Sequence, residues 1–175
     1  PITDFSGAAP DLGWKEFNPP PPGTPTATAT SGPTPTPTPS GLRTITAQVS
    51  ASADDAEEIA SNGSMDLTIT DLELVTNGTT IQWVGMRFNA ISIPQGAAIL
   101  NAYVEFEVDE TSSTATSITI QGQAIDNAPA FTSAKNNISA RARTTAQVAW
   151  NNIPPWAVLN AKWQTPDIAS IIREI

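Results

Sequence analysis

The sequence predicts an all-β protein, an antiparallel β-sandwich of jelly-roll type, and three observations lead to that fold class. Apolar and polar residues alternate along several short segments, as in strands that bury one face. Turn-forming sequences such as Ser61-Asn62-Gly63-Ser64 and Thr76-Asn77-Gly78-Thr79 separate those segments. A helical pattern is clear only in the last residues of the chain. Many short strands at such spacing are typical of sandwiches and jelly rolls.

Strand-like alternation recurs in four segments, residues 45–51, 65–74, 102–109 and 118–124. In the second segment the alternation shifts by one residue at Thr70-Asp71. A one-residue shift moves every following side chain to the other face, so a bulge or a break between two strands is expected there. The third segment has the most regular alternation in the chain and predicts a strand with one buried face.

The C-terminal segment predicts one amphipathic helix. Thr165 can cap it, Pro166 suits the first helical position, and Asp167 suits the positive end of the helix dipole. Four isoleucines then follow at the i, i+3, i+4 and i+7 spacing of one helix face: Ile168, Ile171, Ile172 and Ile175. We expect this face to pack on the sandwich.

Composition divides the chain into an N-terminal arm (residues 1–17), a linker (18–41) and a β-sandwich domain (42–175). Nine of the 16 prolines lie between Pro19 and Pro39, and no charged residue occurs from Asn18 to Leu42. Proline removes a backbone donor and fixes φ, so the linker is expected to be extended polyproline II. It is either a stiff spacer or a stalk with O-linked sugar. The candidate glycosylation sites are Thr24, Thr26, Thr28, Thr30, Thr34, Thr36 and Thr38.

The arm carries three aromatic residues but is too short to form a domain. We expect its apolar side chains to dock on an adjacent subunit; they are Phe5, Leu12, Trp14 and Phe17. The sequences TDFSG (3–7) and PDLGWKEF (10–17) resemble the last coil of right-handed parallel β-helix surface proteins. The arm departs from that pattern at Trp14-Lys15, where a small residue and an aromatic are usual.

Charge and residue types exclude several classes of function. Eight Lys and Arg against 17 Asp and Glu give a formal net charge of −9, which opposes nucleic-acid binding through a basic surface. The chain has no cysteine and no histidine. Disulfides, thiolate nucleophiles, Cys/His zinc sites and Ser-His-Asp triads are therefore excluded. No apolar stretch is long enough to predict a membrane span.

A dense acidic group, Asp54, Asp55, Glu57 and Glu58, is the candidate metal site. Adjacent carboxylates repel one another unless water solvates them or a cation is shared, and calcium prefers oxygen ligands. The group is thus either a solvated acidic loop or a calcium site, with Asp109, Glu110 or Asp126 as completing ligands. Otherwise no cofactor is expected.

Two further sets of residues could contact a saccharide. Glu105 and Glu107 share one face of a predicted strand, a spacing near the lower end of that in inverting glycosidases, although an exposed charged face explains them as well. Trp83 is the candidate platform for sugar stacking, against the alternative that it packs in a core or an interface.

Residues 84–106, VGMRFNAISIPQGAAILNAYVEF, resemble the core sequence of DNRLRE-like β-sandwich modules of bacterial cell-surface and secreted proteins. The similarity extends over about residues 45–175. Related modules serve as carbohydrate-binding appendages of polysaccharide lyases. The resemblance implies a non-enzymatic extracellular module.

Together these features predict an extracellular structural protein at the cell surface, a subunit of a fibre, filament or sheath whose arm docks on a neighbouring subunit. Its partners would be copies of itself, without nucleic acid. The alternative is a carbohydrate-binding or adhesion module, with surface polysaccharide as partner, at the C-terminal end of a larger secreted β-helix protein.

Overall fold

The computed structural model describes residues 41–175, which form antiparallel strands and one helical turn. The arm, with Phe5, Leu12, Trp14 and Phe17, and the candidate glycosylation threonines 24–38 lie outside the described residues. The strands are β1 (Asp55–Ile59), β2 (Met65–Asp66), β3 (Thr76–Asn77), β4 (Thr80–Met86), β5 (Glu105–Glu107), β6 (Thr116–Gln123), β7 (Arg143–Ile153) and β8 (Lys162–Gln164), followed by the helical turn α1 (Ala169–Ile172). The prediction of an antiparallel all-β protein is confirmed for this part of the chain.

The strands are arranged in one four-stranded sheet, in the order β2-β1-β4-β3, and in two pairs, β5-β8 and β6-β7. Every pairing is antiparallel. The hairpin between β3 and β4 uses the turn predicted at residues 76–79. Gly78 has a φ of +58° there, in the left-handed region that glycine adopts without a steric penalty.

The four-stranded sheet is centred on β1, which pairs with β2 on one side and with β4 on the other. Glu57 lies opposite Val84 and Glu58 lies opposite Trp83. Ala56, Glu57 and Glu58 are buried. The interpretation of residues 54–58 as a solvated loop is therefore wrong, because Asp55–Ile59 form an inner strand and Asp54, Glu57 and Glu58 are buried.

The β6-β7 pair carries the C-terminal turn. Gly122 lies so close to this turn that an added Cβ would approach Ile175 Cδ1 to 2.7 Å and Ile171 Cγ2 to 2.8 Å. Glu174 accepts hydrogen bonds from the backbone N–H groups of Thr145 and Ala146, both 2.6 Å long. The last residues are thereby attached to the start of β7.

An aromatic cluster joins the β5-β8 pair to β7. Phe106 lies 6.1 Å from Trp150 and 6.0 Å from Trp156 between ring centroids. Trp156 also stacks on Trp163 at 6.2 Å. Trp150, Trp156 and Trp163 thus pack against other aromatic rings, whereas Trp83 lies outside this cluster.

Four elements differ from their predicted extent. Of residues 65–74 only Met65–Asp66 form a strand (β2), and of residues 102–109 only Glu105–Glu107 do (β5). Residues 45–51 alternate as a strand would, yet they are in no strand of the described chain. The helix is a single turn, and Thr165 does not cap it. The backbone N–H groups of Thr165 and Ile168 instead donate to Val104 and Ala102, so the chain is still extended where the helix was expected to begin.

The buried apolar side chains of the described residues come from several elements and the loops between them: Ala56, Val108, Phe131, Trp150, Ile153, Ile168, Ala169 and Ile171. Among residues 41–175, no helix has the length and apolar character needed to cross a membrane.

Candidate functional site

The carboxylate of Asp54 is held by two side chains of the segment that follows β4. Arg87 Nη1 donates to Asp54 Oδ1 and Asn89 Nδ2 donates to Asp54 Oδ2, each at 2.5 Å. Arg87 Nε also donates to the carbonyl of Ala128 at 2.7 Å. Asp54 is buried, so these charge-assisted hydrogen bonds compensate for the loss of water around its carboxylate.

Glu57 and Glu58 contact different parts of the protein because neighbouring residues of a strand point to opposite faces. Glu57 Oε1 accepts from the backbone N–H of Glu73 at 2.7 Å. Burial raises the pKa of Glu57 above its ordinary value, although that hydrogen bond opposes the change. Glu58 Oε2 accepts from the backbone N–H groups of Ile138 at 2.7 Å and Ser139 at 2.9 Å. Each carboxylate therefore attaches β1 to a distant segment.

The structure does not bring the four acidic residues of the candidate calcium site together. In the part of the chain that the structure describes, the acidic group with carboxylate oxygens within 4.8 Å of one another is Asp71, Glu73 and Glu110. Burial, together with the charges of Glu110 and Asp71, raises the pKa of Glu73. Exposed carboxylates often cluster without a cation, so calcium binding stays a prediction, testable by the melting temperature with and without added calcium.

Glu105 and Glu107 lie on β5 beside Lys162 of β8. Lys162 Nζ is 3.1 Å from Glu105 Oε1 and 3.9 Å from Glu107 Oε2. A hydrogen bond from Gln164 and the contact with Lys162 lower the pKa of Glu105. This direction is opposite to the raised pKa of a glycosidase general acid. The arrangement matches the interpretation of an exposed charged strand face.

Another candidate site is a groove of about 1460 Å³. It is lined by β4, β6, the loop 88–97, the loop 123–128 and the C-terminal residues 168–175. Clefts for small ligands usually measure about 300–1,000 Å³, so this groove could hold a larger occupant, such as a peptide segment or an oligosaccharide.

Apolar side chains line much of the groove and remain accessible there. Twelve large apolar residues of the described chain are exposed, and half of them belong to the groove lining. These six are Ile81, Trp83, Ile91, Ile93, Ile125 and Ile175. Grouped exposure of this kind is typical of a surface that another molecule covers, whereas single exposed apolar residues are common on any protein.

Positively charged side chains are concentrated in the groove, although the chain as a whole is acidic. Four of the eight Lys and Arg residues of the whole sequence line it: Arg87, Arg141, Arg143 and Arg173. The acidic residues of the lining are Asp126 and Glu174, so four positive and two negative charges give the lining a formal charge of +2. Arg87 is paired with Asp54, which leaves a charge of +1 when that pair is counted as neutral. The whole chain has a formal charge of −9, so a negatively charged occupant is more favourable here than on the rest of the surface.

Trp83 lies in β4 and is 41% exposed. The guanidinium of Arg143 lies 4.4 Å from the centroid of its ring. Arg141 makes a similar contact with the ring of Phe131 at 4.3 Å and also donates to the carbonyls of Pro129 and Ala130. One face of the Trp83 ring is thus covered by a cation, and the ring still forms part of the groove wall.

The alternation of residues predicted several strands but not the gathering of arginines in the groove. Arg87 follows β4, Arg141 precedes β7, Arg143 begins β7 and Arg173 follows α1, so only Arg141 and Arg143 are close together in sequence. The signal available in the sequence was the pair Arg141-Ala142-Arg143, which stands out in a chain with so few basic residues. Comparison of the chain with protein-family models, with curated proteins and with solved structures found no match.

Proposed function

We propose that this protein is a non-enzymatic structural module of the cell surface, a subunit of an extracellular fibre, filament or sheath. Residues 1–17 of one subunit dock on the body of a neighbouring subunit, and the linker joins the two. The strand pairs form the layers of a jelly-roll-like β-sandwich, with the C-terminal helical segment packed on it. The threonines of the linker carry O-linked sugar.

The observation that carries the proposal is the open groove with half of the exposed large apolar residues of the described chain. An apolar wall without neighbouring atoms forfeits dispersion contacts and keeps apolar surface in water. When another subunit covers this wall, the dispersion contacts are formed and the apolar surface is removed from water. The arm is apolar and has no core of its own, so it supplies the complementary surface.

The linker is long enough for contact between subunits. Its 24 residues, 18–41, would span about 75 Å as extended polyproline II. A compact domain of about 130 residues is roughly 35–40 Å across. An extended linker of this length reaches well beyond its own body, so docking on a neighbour requires no rearrangement of the domain.

Electron microscopy and sedimentation of the full chain test this function. Deletion of residues 1–17 is expected to abolish fibres or higher oligomers. A matched variant replaces only Phe5, Leu12, Trp14 and Phe17 by serine and keeps the length and charge of the arm; it is expected to behave like the deletion. Assembly that continues unchanged in both variants would contradict the proposal. The intact mass of the native protein reports O-linked sugar independently.

A second candidate, a carbohydrate-binding or adhesion module, is favoured by Trp83 and its surroundings. A half-exposed indole beside Arg143, with Gln121 and Gln123 also in the groove lining, offers a stacking face and hydrogen-bonding groups. Binding of the full chain to an array of polysaccharides tests this function. Binding that is lost in Trp83→Ala would support it, and an array without any binding would contradict it.

A further inference from the structure

We infer that the groove between β4, β6 and the C-terminal residues is the docking site for residues 1–17 of a second copy of the chain. This inference rests on the proposed function and adds to it the surface of the body that receives the arm. The groove is a better candidate than a sheet edge or the Asp71, Glu73 and Glu110 cluster, because it combines exposed apolar side chains with positive charge.

The chemistry of the arm is complementary to that of the groove. Residues 1–17 contain Asp4, Asp11 and Glu16 against Lys15, which gives side-chain charges of −2 beside three aromatic rings. The groove lining has a formal charge of +2 and six exposed large apolar side chains. A segment that is both apolar and acidic fits this surface better than it fits the rest of the body, which shares the negative charge of the chain.

The exposed residues within the groove indicate where the arm would lie. Ile81 is 67% exposed and Ile91 is 46% exposed, and both belong to the lining. Arg173 follows α1 and belongs to the same lining, although it also donates to the carbonyl of Ile99. Apolar side chains of the arm cover the isoleucines, and its carboxylates face the arginines.

The test measures the association constant of the full chain by sedimentation velocity for Ile81→Glu, Ile91→Glu and a matched control, Val158→Glu. Val158 is 66% exposed and lies outside the groove lining, so it has nearly the same exposure as Ile81. All three positions are at the surface, so the melting temperatures should remain close to that of the unmodified chain. Each groove variant is expected to weaken association by about tenfold or more, because an unpaired carboxylate would be buried under the arm.

A synthetic peptide of residues 1–17, added in excess to the full chain, provides a second readout. It is expected to dissociate the assemblies, and it should bind Val158→Glu more tightly than Ile81→Glu. If both groove variants associate as Val158→Glu does, while deletion of residues 1–17 abolishes association, the arm docks elsewhere and this inference alone is overturned. If the deletion leaves association unchanged, the proposed function fails as well.

Discussion

Glu58 provides the clearest test of how the body is held together. Its side chain is nearly inaccessible, at 1% exposure, and one carboxylate oxygen accepts two backbone N–H groups about 80 residues away in sequence, those of Ile138 and Ser139. Glu58→Ala leaves both N–H groups, which are partly buried, without their acceptor. A fully buried unsatisfied group costs about 1–3 kcal/mol, so two partly buried ones should lower the free energy of unfolding by about 3 kcal/mol. Glu58→Gln keeps an acceptor oxygen but loses its charge and should cost about 2 kcal/mol.

Urea unfolding followed by tryptophan fluorescence measures these changes, because the midpoint shifts while the slope with denaturant stays constant. The control is Glu107→Ala, which removes the same residue type from a strand. Glu107 is exposed, and its contact with Lys162 is long, at 3.9 Å. The control should change the free energy of unfolding by no more than about 0.5 kcal/mol. A loss for Glu58→Ala no larger than that of the control would refute the role assigned to Glu58.

Two further pairs of variants test the packing and the pH dependence. Burial raises the pKa of Glu57 above its ordinary 4.5, so its stabilising effect is present below that value and is lost as pH rises through the pKa of the folded protein. Relative to Glu57→Gln, the unmodified chain should therefore lose stability in urea titrations as pH rises above the ordinary 4.5. Backbone hydrogen bonds lower the pKa of Glu174, so the advantage of the unmodified chain over Glu174→Gln should shrink as pH falls below its ordinary 4.5. A variant whose stability changes with pH in parallel with that of the unmodified chain would contradict the assignment for that residue. Gly85→Ala places Cβ 2.6 Å from Phe131 Cζ, and Gly122→Ala places it 2.7 Å from Ile175 Cδ1 and 2.8 Å from Ile171 Cγ2. Each variant should cost about 1–3 kcal/mol in thermal unfolding, and a variant as stable as the unmodified chain would contradict the close packing at its position.

The alternation of apolar and polar residues predicted β6 nearly over its full length. Residues 118–124 show this, because β6 covers nearly the same range and pairs with β7. Residues 45–51 alternate as well but form no strand in the described chain. An alternating pattern establishes that a segment can bury one face, but it does not specify a partner strand, and in the described chain this segment has none.

The acidic strand β1 was missed for a different reason. Asp and Glu are disfavoured in strands and are seldom fully buried, so residues 54–58 suggested a loop or a metal site. Their burial depends on Arg87, Glu73 and Ser139, whose positions relative to β1 follow from the tertiary structure alone. The groove was missed similarly, because its arginines and isoleucines come from segments far apart in sequence.

The most direct test of arm docking is photo-cross-linking in a mixture of two isotopically distinct preparations of the full chain. A photoreactive residue replaces Trp14 in one preparation only, and mass spectrometry identifies the peptides joined to it. Cross-links are expected to peptides that contain residues 81–97, with the arm and the groove peptide carrying different isotopes. Cross-links formed only within one isotope, or only to peptides outside the groove lining, would contradict docking of the arm in the groove of a neighbouring subunit.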